Sequence, residues 1–139
     1  MNYFKLLELI EPLKPLSANP KRQTPNNMDW YKIAESKAEL FGAGGDMAEV
    51  NVDGKTILVV RVSDGIYACA SKCPHAGARM KDGYVDVQGN LVCPLHRYRF
   101  DPRTGRNVSG EGYFLKRYVI EEREDGIFIG LEEKKGIFG

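Results

Sequence analysis

Residues 47–70 read MAEVNVDGKTILVVRVSDGIYACA, and their pattern decides the fold. Three aliphatic and β-branched runs, Met47–Val52, Lys55–Val62 and Ile66–Ala70, are separated by Asp53-Gly54 and Asp64-Gly65. An Asp-Gly dipeptide suits a tight two-residue turn, so each one predicts a hairpin. The same pattern returns near the C-terminus, where Tyr113–Glu121 and Ile127–Leu131 flank Glu124-Asp125-Gly126. A weak signal at Ser36–Leu40 predicts one short helix. Serial hairpins of this kind predict an all-β chain, an antiparallel β-sandwich or barrel. Between the hairpins, residues 72–108 break the rhythm with glycines and prolines. They read as a small subdomain inserted between two strands of the sheet.

Outward from this core the signals change. Residues 12–27 hold four prolines and three asparagines, which predicts an extended linker, because proline restricts its own φ and the residue before it. Ahead of it, Phe4, Leu6, Leu7, Leu9 and Ile10 are interrupted by Glu8 and Glu11. This predicts a short amphipathic helix packing on the domain or on a second copy, a route to a homo-oligomer. The segment has neither a basic leader nor a small-residue cleavage site, and no apolar run reaches the roughly 20 residues of a membrane span. The expected location is therefore cytoplasmic. The folded domain is expected over 28–133, with 134–139 as a tail. A length of 139 residues suits one domain, and a net charge of +1 gives no argument for nucleic acid or a membrane surface. Three cysteines do not build a disulfide scaffold and fit a reducing compartment.

The chemistry sits in the inserted region. Residues 72–79 read KCPHAGAR and residues 91–101 read LVCPLHRYRFD. The chain's only two histidines, His75 and His96, each lie within three residues of a cysteine, Cys73 or Cys93, in two similar Cys-Pro loops. Two soft thiolates and two borderline imidazoles form a metal-ligand set. Tetrahedral zinc accepts Cys2His2, but zinc fingers commonly pair Cys with Cys and His with His. Here each loop mixes the two types. A [2Fe–2S] cluster with two Cys on one iron and two His on the other explains the mixing, since each loop then reaches both irons. Cys69 falls at a strand position and reads as a buried structural thiol, and Trp30 and Tyr31 as core or edge packing.

CPHAGA at 73–78 followed by CPLHRYRFDPRTG at 93–105 resembles the Rieske family, specifically soluble Rieske-type ferredoxins and the electron-entry domains of aromatic-ring oxygenases. The resemblance runs from about Trp30 to Leu131. It implies an antiparallel β domain with a small cluster-binding subdomain at its tip and one [2Fe–2S] cluster per chain. It also implies Cys73 and Cys93 on the inner iron, and His75 and His96 on the outer iron. Two departures matter. The respiratory-type members brace the cluster with a disulfide, and Ala78 and Leu95 stand at the matching positions here. Those members also carry Ser and Tyr hydroxyls near the cluster sulfurs, where this chain has Tyr98 and Phe100. Fewer donors to sulfur leave the reduced state less stabilised, which predicts the low end of the Rieske range, nearer about −150 mV than about +300 mV. The potential is expected to fall at alkaline pH as an exposed imidazole loses its proton.

Lys72, Arg79, Lys81, Arg97, Arg99, Arg103 and Arg106 outnumber Asp82, Asp86 and Asp101 across 72–106. They read as a solvated rim whose members partly hold the loops; a functional alternative is docking to an acidic partner surface. An oxygenase would need a further iron held by two His and a carboxylate, and the cluster already uses both histidines. No GxGxxG follows a strand, so no flavin or nicotinamide domain is indicated. The expected function is a non-catalytic one-electron carrier between a reductase and an oxygenase or other acceptor. The alternative is a small electron-transfer subunit of a larger oxidoreductase, resembling that of assimilatory nitrite reductase.

Overall fold

The computed structural model describes residues 28–110 and 112–132. The amphipathic segment and linker at 1–27, the association assigned to them and the tail at 134–139 lie outside the described residues. The hairpins expected over 47–70 form β2 (Met47–Val52), β3 (Lys55–Val62) and β4 (Gly65–Ala70). The chain enters through β1 (Met28–Ala34) and α1 (Lys37–Phe41), and closes with β8 (Arg117–Arg123) and β9 (Gly126–Glu132). These strands make one antiparallel sheet in the order β1-β9-β8-β4-β3-β2. The outer strands β1 and β2 also approach each other, so the sheet curls on itself.

Burial along β3 shows how the insert is attached. Ile57, Leu58, Val59 and Val60 are all fully buried, although alternate strand residues point to opposite faces. Ile57 and Val59 join Val52, Ile66, Ala68, Ile127, Ile129 and Leu131 in the core enclosed by the sheet. Leu58 and Val60 face the other way and meet Cys69, Cys73, Met80, Leu91, Cys93, Phe100 and Leu115. The insert thus covers the outer face of β3 and β4. Fully burying each such aliphatic side chain contributes roughly 1.5–3 kcal/mol, so this second core docks the insert firmly.

The insert carries its own antiparallel sheet, β5 (Tyr84–Val85), β6 (Leu91–Val92) and β7 (Arg99–Phe100). Strands of two residues are too short to show alternation, so the sequence displayed only an interruption. Other differences are local. The first turn is centred on Asp53-Gly54, both at positive φ (52° and 82°). In the other two hairpins the register pairs Val62 with Gly65 and Arg123 with Gly126, so the loops are Ser63-Asp64 and Glu124-Asp125 and the glycines open the next strands. β8 begins at Arg117 and not at Tyr113, because the preceding residues are drawn to the insert by an Arg106–Phe114 bridge. The helix lies over Lys37–Phe41, capped by Ser36, whose Oγ accepts from the Glu39 N–H at 3.1 Å. The Arg123 guanidinium packs over both the Trp30 and Phe128 rings, at 4.8 and 4.3 Å from their centroids, which gives Trp30 a packing role. No helix among the described residues is long and apolar enough to cross a membrane.

Candidate metal centre

The two Cys-Pro loops fold alike, and backbone hydrogen bonds explain why. The Cys73 N–H donates to the Ala78 carbonyl at 2.8 Å, and the Gly77 N–H donates back to the Cys73 carbonyl at 2.8 Å. Twenty residues on, the Cys93 N–H donates to the Tyr98 carbonyl at 2.9 Å and the Arg97 N–H to the Cys93 carbonyl at 3.0 Å. Each loop closes through one residue at positive φ, Gly77 at 74° and Arg97 at 58°. The loops hang from the ends of β4 and β6, both anchored in the second core.

This geometry brings the four expected ligands together. Cys73 and Cys93 are buried, at 2% and 0% exposure, and are near enough to influence each other's protonation. Burial pushes the Cys73 thiol up, while the Ala76 and His75 N–H groups that point at its sulfur pull it down. The imidazoles of His75 and His96 meet edge to face, 4.9 Å between centroids. Nδ1 of His75 is buried and has no hydrogen-bond partner among the described residues, an arrangement that is costly unless something accepts that nitrogen's lone pair. Among the described residues no three His, Cys, Asp or Glu side chains converge on one point that a single ion could occupy. A two-iron cluster needs two protein ligands on each iron, and the buried thiols and the adjoining imidazoles come here as two such pairs. The donor set fits the cluster.

Around the loops several charges do structural work. Arg79 holds Glu49 of β2 with a two-pronged contact, Nε to Oε2 at 3.1 Å and Nη2 to Oε1 at 2.9 Å, and also reaches Asp82 at 3.2 Å. Arg103 joins Asp101 (3.0 Å) to Asp64 of the β3–β4 turn (3.1 Å), and Arg99 lies 3.9 Å from Asp86. The Arg103 guanidinium holds the Asp64 carboxyl below the usual carboxylate range. Lys72, Lys81, Arg97 and Arg106 have no ion pair among the described residues. Cys69 is buried beside Arg117 on β8, and burial pushes its thiol up to about 12, which keeps it protonated and inert.

Residues 29–113 match the Rieske [2Fe–2S] domain family. The chain belongs to that family. Its Rieske domain is 44% identical, over 88 residues, to the ferredoxin component of the naphthalene 1,2-dioxygenase system of Pseudomonas aeruginosa. That alignment covers 63% of this chain and 84% of the relative. In structure it is similar to the ferredoxin of carbazole 1,9a-dioxygenase from Nocardioides aromaticivorans IC177, with a TM-score of 0.60, 28% identity, and coverage of 76% of this chain and 98% of that one. A Mycobacterium tuberculosis chain assigned as an NADH-dependent nitrite reductase small subunit is 21% identical with a TM-score of 0.64, covering 77% and 98%. At that identity the likeness is one of fold. The cofactor of a Rieske domain is the [2Fe–2S] cluster, the group the donor set fits.

Sequence reasoning missed Tyr113, whose ring lies 5.0 Å from that of His75. Its position in the sequence, beyond both ligand loops and in a stretch expected to be a sheet strand, gave no signal.

Proposed function

We propose that this chain is a one-electron carrier in which Cys73 and Cys93 hold the inner iron and His75 and His96 the outer iron of the cluster. The carrying observation is the buried, unpartnered Nδ1 of His75 beside two buried neighbouring thiols. When bound, the cluster supplies reversible one-electron exchange. The chain's own residues do the rest. The Cys loops bury the sulfur side, and His96 meets solvent at the other side. The second core fixes both loops on a curled sheet, so little reorganisation accompanies electron transfer. The chain catalyses nothing by itself and works between a reductase and a terminal oxygenase. The ferredoxin relative at 44% identity supports the oxygenase-type acceptor over the nitrite-reductase alternative, which the fold alone accommodates equally.

The test is an EPR spectrum of the dithionite-reduced protein, with iron and acid-labile sulfide assayed on the same sample. A rhombic signal of low average g, with two iron and two sulfide per chain, is the expected result. An EPR-silent protein containing zinc would overturn the reading.

A further inference from the structure

The two imidazoles have different surroundings. His75 packs against two phenol rings, Tyr98 at 4.6 Å and Tyr113 at 5.0 Å between centroids. The two tyrosines are stacked on each other, 6.2 Å apart with 20° between their planes. His96 meets this group only from its edge, through His75 at 4.9 Å and Tyr98 at 5.8 Å. His75 is consequently half-buried, whereas His96 is exposed between exposed Leu95 and exposed Arg97.

Tyr113 belongs to neither ligand loop, so its arrival beside His75 has a cause of its own. The turn DPRTG at 101–105 closes when the Gly105 N–H donates to the Asp101 carbonyl at 2.7 Å. The Leu115 N–H then donates to the Gly105 carbonyl at 2.8 Å, and Arg106 bridges to Phe114. A Cβ at Gly105 would run into the Leu115 carbonyl oxygen, so only glycine lets the 113–115 segment draw in this closely. Leu115 is buried in the second core and pins that segment from below. Arg103 ties the same turn to Asp64 on the sheet. A continuous set of contacts therefore runs from the sheet to the Tyr113 ring.

We propose that Tyr113 is a positioning residue for His75, and that the wall it builds with Tyr98 leaves His96 as the imidazole open to a redox partner. This rests on the reading of both histidines as outer-iron ligands. Two packed rings restrict rotation of the His75 side chain and hold its buried Nδ1 inward. The same rings occupy the space through which water or a partner would reach His75. On its solvent side His96 is flanked in sequence by exposed Leu95 and exposed Arg97, an apolar and a cationic side chain suited to an acidic-rimmed partner face.

The experiment uses the oxidised holoprotein and limiting diethyl pyrocarbonate, with carbethoxylation of each histidine followed by peptide mass spectrometry. In the parent protein His96 should react several-fold faster than His75. Tyr113→Ala should raise the His75 rate several-fold and leave the His96 rate unchanged. Tyr113→Phe keeps the ring and should behave like the parent. Equal rates in the parent, or a Phe variant that behaves like the Ala variant, would overturn the wall. If Tyr113→Ala does not hold the cluster, the parent ratio and the Phe variant decide by themselves. Absence of the mixed-ligand EPR signal in the parent overturns the ligand assignment and this proposal together. A normal signal with equal rates overturns the proposal alone.

Discussion

The loops at 73–78 and 93–98 share a backbone and differ in nearly everything else. Each closes by the same two hydrogen bonds around its cysteine, yet one places glycine at the positive-φ position and the other arginine. One presents an imidazole packed against two tyrosines and the other an imidazole exposed to solvent. The lesson is that cysteine placement and imidazole surroundings are set by different forces. Hydrogen bonding within each loop, together with burial in the second core, places the cysteines. The surroundings of His75 come from outside its own loop, from Tyr98 of the second loop and from Tyr113 in a third segment that neither loop contains.

If the loops are equivalent as ligand donors, Cys73→Ser and Cys93→Ser should each abolish the cluster, read as loss of visible absorbance and of bound iron. Retention of the cluster in either variant would break the equivalence. The potential of the holoprotein sharpens the contrast around the second loop, since Tyr98 in it and Phe100 on β7 stand where respiratory-type members carry Ser and Tyr hydroxyls. Direct electrochemistry should place it nearer about −150 mV than about +300 mV. A value at the upper end would mean that donors from elsewhere reach the sulfurs.

Smaller effects probe the closing residues. No described residue lies within 4 Å of a Cβ at Gly77, so Gly77→Ala should cost only the left-handed backbone term, about 1–2 kcal/mol in denaturant unfolding. Arg97→Gly removes the same term but frees the unfolded chain, for a net gain of about 0.5 kcal/mol. A loss on Arg97→Gly would show that the arginine side chain contributes more than its backbone costs. The smallest effect concerns Asp64, whose carboxyl is held below its ordinary range by Arg103. A carboxyl depressed in the folded state adds stability above its unfolded pKa and loses it as pH falls through the lower folded value. Asp64→Asn should therefore lower the thermal midpoint slightly at neutral pH. The difference should vanish in acid, below the ordinary carboxylate range. A difference that persists there would assign the loss to packing.

Local sequence patterns suffice to propose the ligand set and to lay out the sheet. Cys73, His75, Cys93 and His96 carry a spacing that few other chemistries explain, and β-branched runs punctuated by turn residues disclose hairpins through purely local preferences. Cys69 was legible as a buried thiol for the same reason, since its strand position is a local fact. What the outer face of β3 packs against, where β8 begins and what surrounds His75 are set by contacts between distant parts of the chain. Ile57–Val60 announce burial on both faces without naming the cover, because the cover lies far along the chain at Met80, Leu91, Phe100 and Leu115. Tyr113 is 38 residues from His75 in sequence and 5.0 Å away ring to ring. That proximity depends on a turn at 101–105, a glycine with no room for a side chain and a leucine buried in a shared core, none of which leaves a periodic trace in the sequence.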